Sequence, residues 1–269
     1  MKHYLIVNAD DFGYSRGTNY GILDSFQQGI VTSTTIMANT PGFMQAVEIA
    51  KRHPKLGVGI HLNVTFGQPL GKGYKKIIDF SGNFPALSPT NTSQLIVDEK
   101  EMEKELRLQI ERVLSAGIVP THLDSHHHFH KEEDATRLVC KLAKDYGLPI
   151  RWGYELDLPE DIKKVDQLIL DFDFTIMEIM NQANAQWDEQ ILMYIQRVIK
   201  EIKMNGWEYT EIMCHPAYVD KYLYEHTSMD KVRAFETAAL SHPSIAKLLE
   251  KNEIYLTNYQ SLKNDGTNF

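Results

Sequence analysis

Tyr4-Leu5-Ile6-Val7 runs straight into Asn8-Ala9-Asp10-Asp11-Phe12-Gly13, and this junction decides the fold. Residues 4–7 are apolar and β-prone and read as a buried first strand. The polar stretch 8–16 then reads as a loop at its C-terminal end. Working outward, 17–29 has helical spacing, with Ile22, Leu23 and Phe26 on one face and Gly29 as the stop. The β-branched stretch 32–38 is a second strand, 43–52 a second helix ended by Pro54, and 56–62 a third strand. A βαβαβ rhythm predicts a mostly parallel sheet with helices outside it. Further helices are expected over 98–116, 134–146, 188–204, 229–240 and 244–250. Further strands are expected over 121–124, 150–152, 171–176, 209–214 and 254–257. About seven strands with helices between them favour an imperfect α/β barrel of the TIM type.

The 269 residues suit one large domain. Within it, 64–97 carries Gly67, Pro69, Gly71, Gly73, Gly82, Pro85 and Pro89 with little helical period. A loop that long in a compact domain is usually functional, so it is expected on the substrate side. Net charge is −8, and no basic stripe is available to neutralise a phosphate backbone, so no nucleic-acid partner is expected. The two cysteines, Cys140 and Cys214, form no CxxC pair. No apolar run is long enough for a membrane span, and the N-terminal one meets Asp10 too soon for a signal sequence. The expectation is a cytoplasmic protein, with a homodimer left open.

Four segments put chemically capable side chains at the ends of expected strands. These are 8–13 with Asp10 and Asp11, 59–63 with His61, 122–130 with five histidines around Asp124, and Cys214-His215-Pro216. In a parallel barrel the C-terminal strand ends share one face, so these distant residues converge. Adjacent carboxylates repel, and a divalent cation relieves that repulsion. In 122–130 an extended chain puts His126 and His128 on one face, whereas a helical turn pairs His126 with His130; spacing leaves this open. Pro216 holds His215 in extended geometry. Carboxylate plus imidazole donors fit Mg²⁺, Mn²⁺ or Zn²⁺ rather than a thiolate metal. With no redox ligands and no glycine-rich nucleotide fingerprint, activation of water is the expected task. A non-catalytic sugar or metal binder, or another barrel enzyme acting on a sugar phosphate, is the alternative. Tyr14, Phe66, Phe129, Trp152 and Tyr218 are candidates for stacking on sugar rings.

Asn8-Ala9-Asp10-Asp11-Phe12-Gly13, the run Gly-Ile-Val-Thr-Ser-Thr-Thr at 29–35, Gly59-Ile60-His61-Leu62 and Thr121-His122-Leu123-Asp124-Ser125-His126-His127-His128 together closely resemble the YdjC-like carbohydrate deacetylases, which include the ChbG-type chitooligosaccharide deacetylases. The resemblance extends to Arg233, Glu236 and Leu240. It implies a distorted (β/α) barrel of the glycoside hydrolase/deacetylase type. It also implies removal of an N-acetyl group from a short, chitobiose-like amino-sugar oligosaccharide, with or without a 6-phosphate, and a divalent metal, usually Mg²⁺. By analogy with polysaccharide deacetylases, Asp11, His61 and His126 would hold the metal, Asp10 would be the base and His215 the general acid. Ala217 departs from the glycine found after His-Pro in many relatives.

Overall fold

The computed structural model describes residues 1–154, 156–182 and 186–264. Its centre is β1 (His3–Phe12), which is longer than the apolar run alone suggests. It continues through the expected loop because Ala9 still pairs with β6 (Tyr209–Cys214) and Phe12 with β2 (Ser33–Ile36). These neighbours satisfy the backbone of a segment whose last eight residues are all buried. All the pairings are parallel, in the order β4-β3-β2-β1-β6-β5, with β3 at Gly57–Leu62, β4 at Leu123–Ser125 and β5 at Gln167–Ile169. β7 (Ile254–Thr257) pairs with His3–Ile6, the part of β1 that lies before its contact with β2.

The helices close the connections between these parallel strands. They are α1 (Arg16–Gln27), α2 (Phe43–Arg52), α3 (Glu99–Ser115), α4 (Glu133–Tyr146), α5 (Phe172–Met180), α6 (Trp187–Asn205), α7 (Lys221–His226), α8 (Asp230–Leu240), α9 (Pro243–Lys251) and α10 (Gln260–Asn264). Starts and stops follow local chemistry. Ser15 and Asp98 cap α1 and α3 by accepting from Thr18 N and Glu101 N, and Gly147 and Gly206 end α4 and α6 in left-handed geometry. Among the described residues no helix is long and apolar enough to cross a membrane.

The expected strand 171–176 is instead the start of α5. Phe172, Ile176 and Ile179 are buried at helical spacing, which only becomes visible when the run is followed past 176. The expected strand 150–152 is reduced to one parallel bridge, Leu123 to Ile150. That segment nevertheless fills the gap between β4 and β5. Arg151 N donates to Leu123 O, and a Cβ on Gly153 would lie 2.5 Å from Leu168. The chain is an α/β protein with a curled, parallel, barrel-like sheet. The stretch 64–97 has one short 3₁₀ turn, Thr92–Gln94, and is tied to α3 by two carboxylates. Glu105 accepts from Leu70 N, Gly71 N and Tyr74 Oη, while Glu101 accepts from Lys75 N and Lys76 N.

Candidate active site

The C-terminal ends of the parallel strands surround a cavity of about 470 Å³ lined by Asp10, Asp11, His61, His126 and His215. Successive side chains of a regular strand point to opposite faces, so adjacent carboxylates should not share a cavity. Here the register shifts between Ala9 and Phe12, and Asp11 sits at φ 67°. This bulge re-aims the chain at its end and lets both aspartates line the same space.

Asp11 lies at the centre of a three-residue cluster. Its Oδ1 is 3.4 Å from His61 Nε2 and 3.2 Å from His126 Nδ1, and one ligand atom from each residue lies within 4.8 Å of the others. Both Asp11 oxygens are buried, and among the described residues neither has a hydrogen-bond partner. Arg233 Nη2 comes within 2.8 Å of Oδ2 as an ion pair. Burial alone would raise the Asp11 pKa, but Arg233 and His126 outweigh it and hold the carboxyl well below its ordinary range. An ionised carboxylate whose Oδ1 faces two imidazoles in a buried site fits a divalent cation.

His61 is oriented from behind: its Nδ1 is 2.7 Å from Asp124 Oδ1, its register partner on β4. This carboxylate–imidazole arrangement is the one that commonly fixes a metal-binding histidine. Burial disfavours the imidazolium, yet the Asp124 carboxylate raises the His61 pKa to about 10. A cation at the cluster would therefore compete with a proton.

The histidine tract adopts neither geometry that spacing suggested. After β4 it forms a 3₁₀ turn, His126–Lys131, in which His127 and His128 are left-handed at φ 57° and 54°. His126 faces Asp11. His127 stacks on His126 with ring centres 3.8 Å apart, and His128 Nδ1 bonds Tyr154 Oη at 2.9 Å. His130 turns inward to Arg151 O, and His122 stacks on Tyr259.

On one side of the cluster, Asp10 is gripped by Arg151, whose Nη1 and Nη2 each donate to one of its oxygens at 2.6 Å. Arg151 is fully buried and also meets Asp124 and Glu211, each at 2.8 Å. The other side carries His215. Its Nδ1 is 2.8 Å from Asp173 Oδ2, and its backbone N donates to Glu236 Oε2 at 2.5 Å. Burial lowers the His215 pKa, but the Asp173 carboxylate more than reverses this and the net shift is upward.

All five residues expected to form the site therefore line one cavity. Arg233 and Glu236 were noted only within the family resemblance, with no role at the site, and Arg151 and Asp173 were missed. Their signal was a charge inside an apolar stretch, as in Ile150-Arg151-Trp152 and Phe172-Asp173-Phe174. A charge there is nearly always paired when buried. Of the aromatic candidates, Tyr14 and Phe66 line the cavity and stack with centres 5.0 Å apart. Phe129 and Trp152 are buried in the core, and Tyr218 turns outward to Asp24.

Residues 4–251 match the family model of YdjC-like proteins, and the chain belongs to that family. Among curated relatives, the carbohydrate deacetylase of Geobacillus stearothermophilus is 37% identical over 97% of this chain and 98% of its own length. The carbohydrate deacetylase of Clostridium beijerinckii is 37% identical over 96% of this chain and 99% of its own length. A solved structure from Enterococcus faecalis, described as that of a cellobiose-phosphate cleavage protein, superposes with a TM-score of 0.84. It is 29% identical and covers 97% of this chain and 99% of its own. A polysaccharide deacetylase of Bacillus cereus, 13% identical with a TM-score of 0.53 over 100% of this chain and 97% of its own, shares the fold.

Proposed function

We propose that this chain is a metal-dependent carbohydrate deacetylase that hydrolyses the N-acetyl group of a short amino-sugar oligosaccharide. One observation carries the reading. A candidate cation cluster, Asp11–His61–His126, lies in one cavity with a carboxylate clamped by arginine and an imidazole backed by carboxylate. The curated relatives named carbohydrate deacetylases support it. Asp11, His61 and His126 would hold the cation. Mg²⁺ follows from the family resemblance, while two imidazoles among three donors suit Zn²⁺ or Mn²⁺ at least as well. When bound, a divalent cation there polarises an amide carbonyl and lowers the pKa of water.

The chain's own residues divide the remaining work. Asp10 takes the proton of the attacking water, and the two-pronged grip of Arg151 keeps its carboxylate fixed in position. His215, whose protonated form Asp173 favours, donates a proton to the leaving amine nitrogen as the C–N bond breaks. Amide and water thus become acetic acid and amine, with one proton taken up at Asp10 and one given by His215. The cavity volume lies in the usual range of small-ligand sites. Tyr14 and Phe66 offer an aromatic wall, and Ala86–Pro89 bring the long loop to the rim.

N,N′-diacetylchitobiose and its 6-phosphate are the substrates to test, the phosphate because of the relative described as a cellobiose-phosphate cleavage protein. Acetate release is expected from at least one of them, lost with chelator and restored by Mg²⁺, Mn²⁺ or Zn²⁺. Asp10→Asn and His215→Ala should each lower the rate by about 10²–10⁴ while remaining folded. Near-wild-type release from either variant removes that residue's role. Release insensitive to chelator removes the metal.

A further inference from the structure

Behind His215 lies a pair of buried acids that the reaction does not use directly. Asp173, on α5, and Glu236, on α8, are both buried, and α5 packs on α8. Each carboxyl holds His215 with one oxygen: Asp173 Oδ2 faces Nδ1, and Glu236 Oε2 accepts from the backbone N. Their other oxygens, Asp173 Oδ1 and Glu236 Oε1, are both buried, and among the described residues neither meets a donor. One carboxyl oxygen of each side chain nevertheless lies within 4.8 Å of the other, and the two groups act directly on each other. Two carboxylates have only acceptors to offer each other, so the contact needs a proton.

We propose that Asp173 and Glu236 share one proton, with Glu236 as the neutral partner that donates to Asp173 Oδ1 and acts as a positioning residue for His215. The arrangement leaves a single negative charge on the pair and directs it at His215 Nδ1. Burial and the neighbouring Asp173 both push Glu236 well above the ordinary carboxylate range, whereas Asp173 is held below it by His215 against the effect of burial. The other titratable or charged groups facing the pair are Arg233 on α8 and Cys214 at the end of β6, while Asp10 on β1 acts on His215. The effect of the pair on catalysis rests on His215 being the acid of the proposed reaction; the shared proton itself does not.

Glu236→Gln tests the idea because glutamine keeps one acceptor and one donor but cannot ionise. The wild-type protein at neutral pH should show an infrared carboxylic-acid C=O band that Glu236→Gln removes. Glu236→Gln should also keep the alkaline limb of kcat/KM within about 0.3 pH unit and the rate within about threefold. Glu236→Leu, lacking both bonds, should lower kcat by an order of magnitude or more with KM little changed. No acid band lost in Glu236→Gln overturns the shared proton. So does an alkaline limb moved down by a pH unit, since that would mean an ionised Glu236 had been supporting the His215 proton. If the acid band behaves as expected but no acetate is ever released, the pair stands and the deacetylase reading fails. The infrared comparison needs only Glu236→Gln, so it holds even if Glu236→Leu does not fold.

Discussion

Arg151→Gln should be among the most damaging single changes in the chain, and the damage should depend on pH. The guanidinium is fully buried and is the shared counter-charge of Asp10, Asp124 and Glu211, at 2.6–2.8 Å. Removing one partner of a buried ion pair costs roughly 3–5 kcal/mol, because the remaining charge stays buried. Three carboxylates lose a partner here, so the upper end applies at pH 8. At roughly 2–4 °C per kcal/mol for large domains, Tm should fall by about 10–20 °C. Glu211 provides the pH dependence. Burial raises its pKa, against Arg151, to about 6, from an ordinary 4.5. A raised pKa means the folded protein holds the proton more tightly than the unfolded one. That contribution, about 2 kcal/mol here, is complete below pH 4.5 and lost as pH rises through 6. Without Arg151 the Glu211 pKa climbs further, so the variant should go on losing stability between pH 6 and 8, where this group no longer affects the wild type. Urea unfolding of both proteins at pH 5.5 and 8.0 measures the effect. Adding Glu211→Gln should recover part of the loss at pH 8.0. A deficit under about 1 kcal/mol, or an equal one at both pH values, would show that Arg151 is not the counter-charge of Glu211.

Two further outcomes follow from buried histidines. Asp124→Asn removes the negative charge behind His61 Nδ1 and should weaken binding of the divalent cation by about 10–100-fold. Calorimetric titration of the metal-free protein reads this directly, and an unchanged Kd would show that Asp124 does not support the ligand. His122 is buried against Tyr259, and burial pushes its pKa down to about 3 from 6.5. Its stabilising effect is complete above pH 6.5 and is lost as pH falls toward 3. His122→Phe can keep the stacking without the charge, so it should flatten the stability loss between pH 6.5 and 4.5 by about 1–2 kcal/mol. Parallel losses in both proteins would place the acid sensitivity elsewhere.

What could be read from the sequence follows from how local each signal is. β1 announces itself as an apolar run, β2 by its β-branched residues, β3 by apolar residues alternating with glycine and β6 by Ile212 and Met213, and the polar residues at their ends announce the cavity. β5 did not, because Gln167-Leu168-Ile169 is only three residues long. Its role as a strand comes from pairing with β6, which is a contact distant in sequence. The run 171–176 fits both periods until Ile179 extends the helical one. The histidine tract was open because two consecutive left-handed residues, His127 and His128, belong to no regular period. Arg151 was visible as an odd charge, but its partnership with Asp10, 141 positions away, exists only once the sheet has curled.

The two carboxylates that tie the long loop to α3 divide its labour. Glu101 and Glu105 stand one helical turn apart and fasten residues 70–77, while the cavity is lined by 65–66 on one side of that seam and 86–89 on the other. Phe84 is buried and its N donates to Gly67 O, so the tip 79–83 can change length or composition without disturbing the anchorage or the cluster at Asp11. Doubling a flexible loop costs only about 0.6 kcal/mol. Divergence in which sugar is accepted should accumulate in 79–83 and in the cavity-lining 86–89, on either side of the buried Phe84, while the strand ends that carry the chemistry stay unchanged.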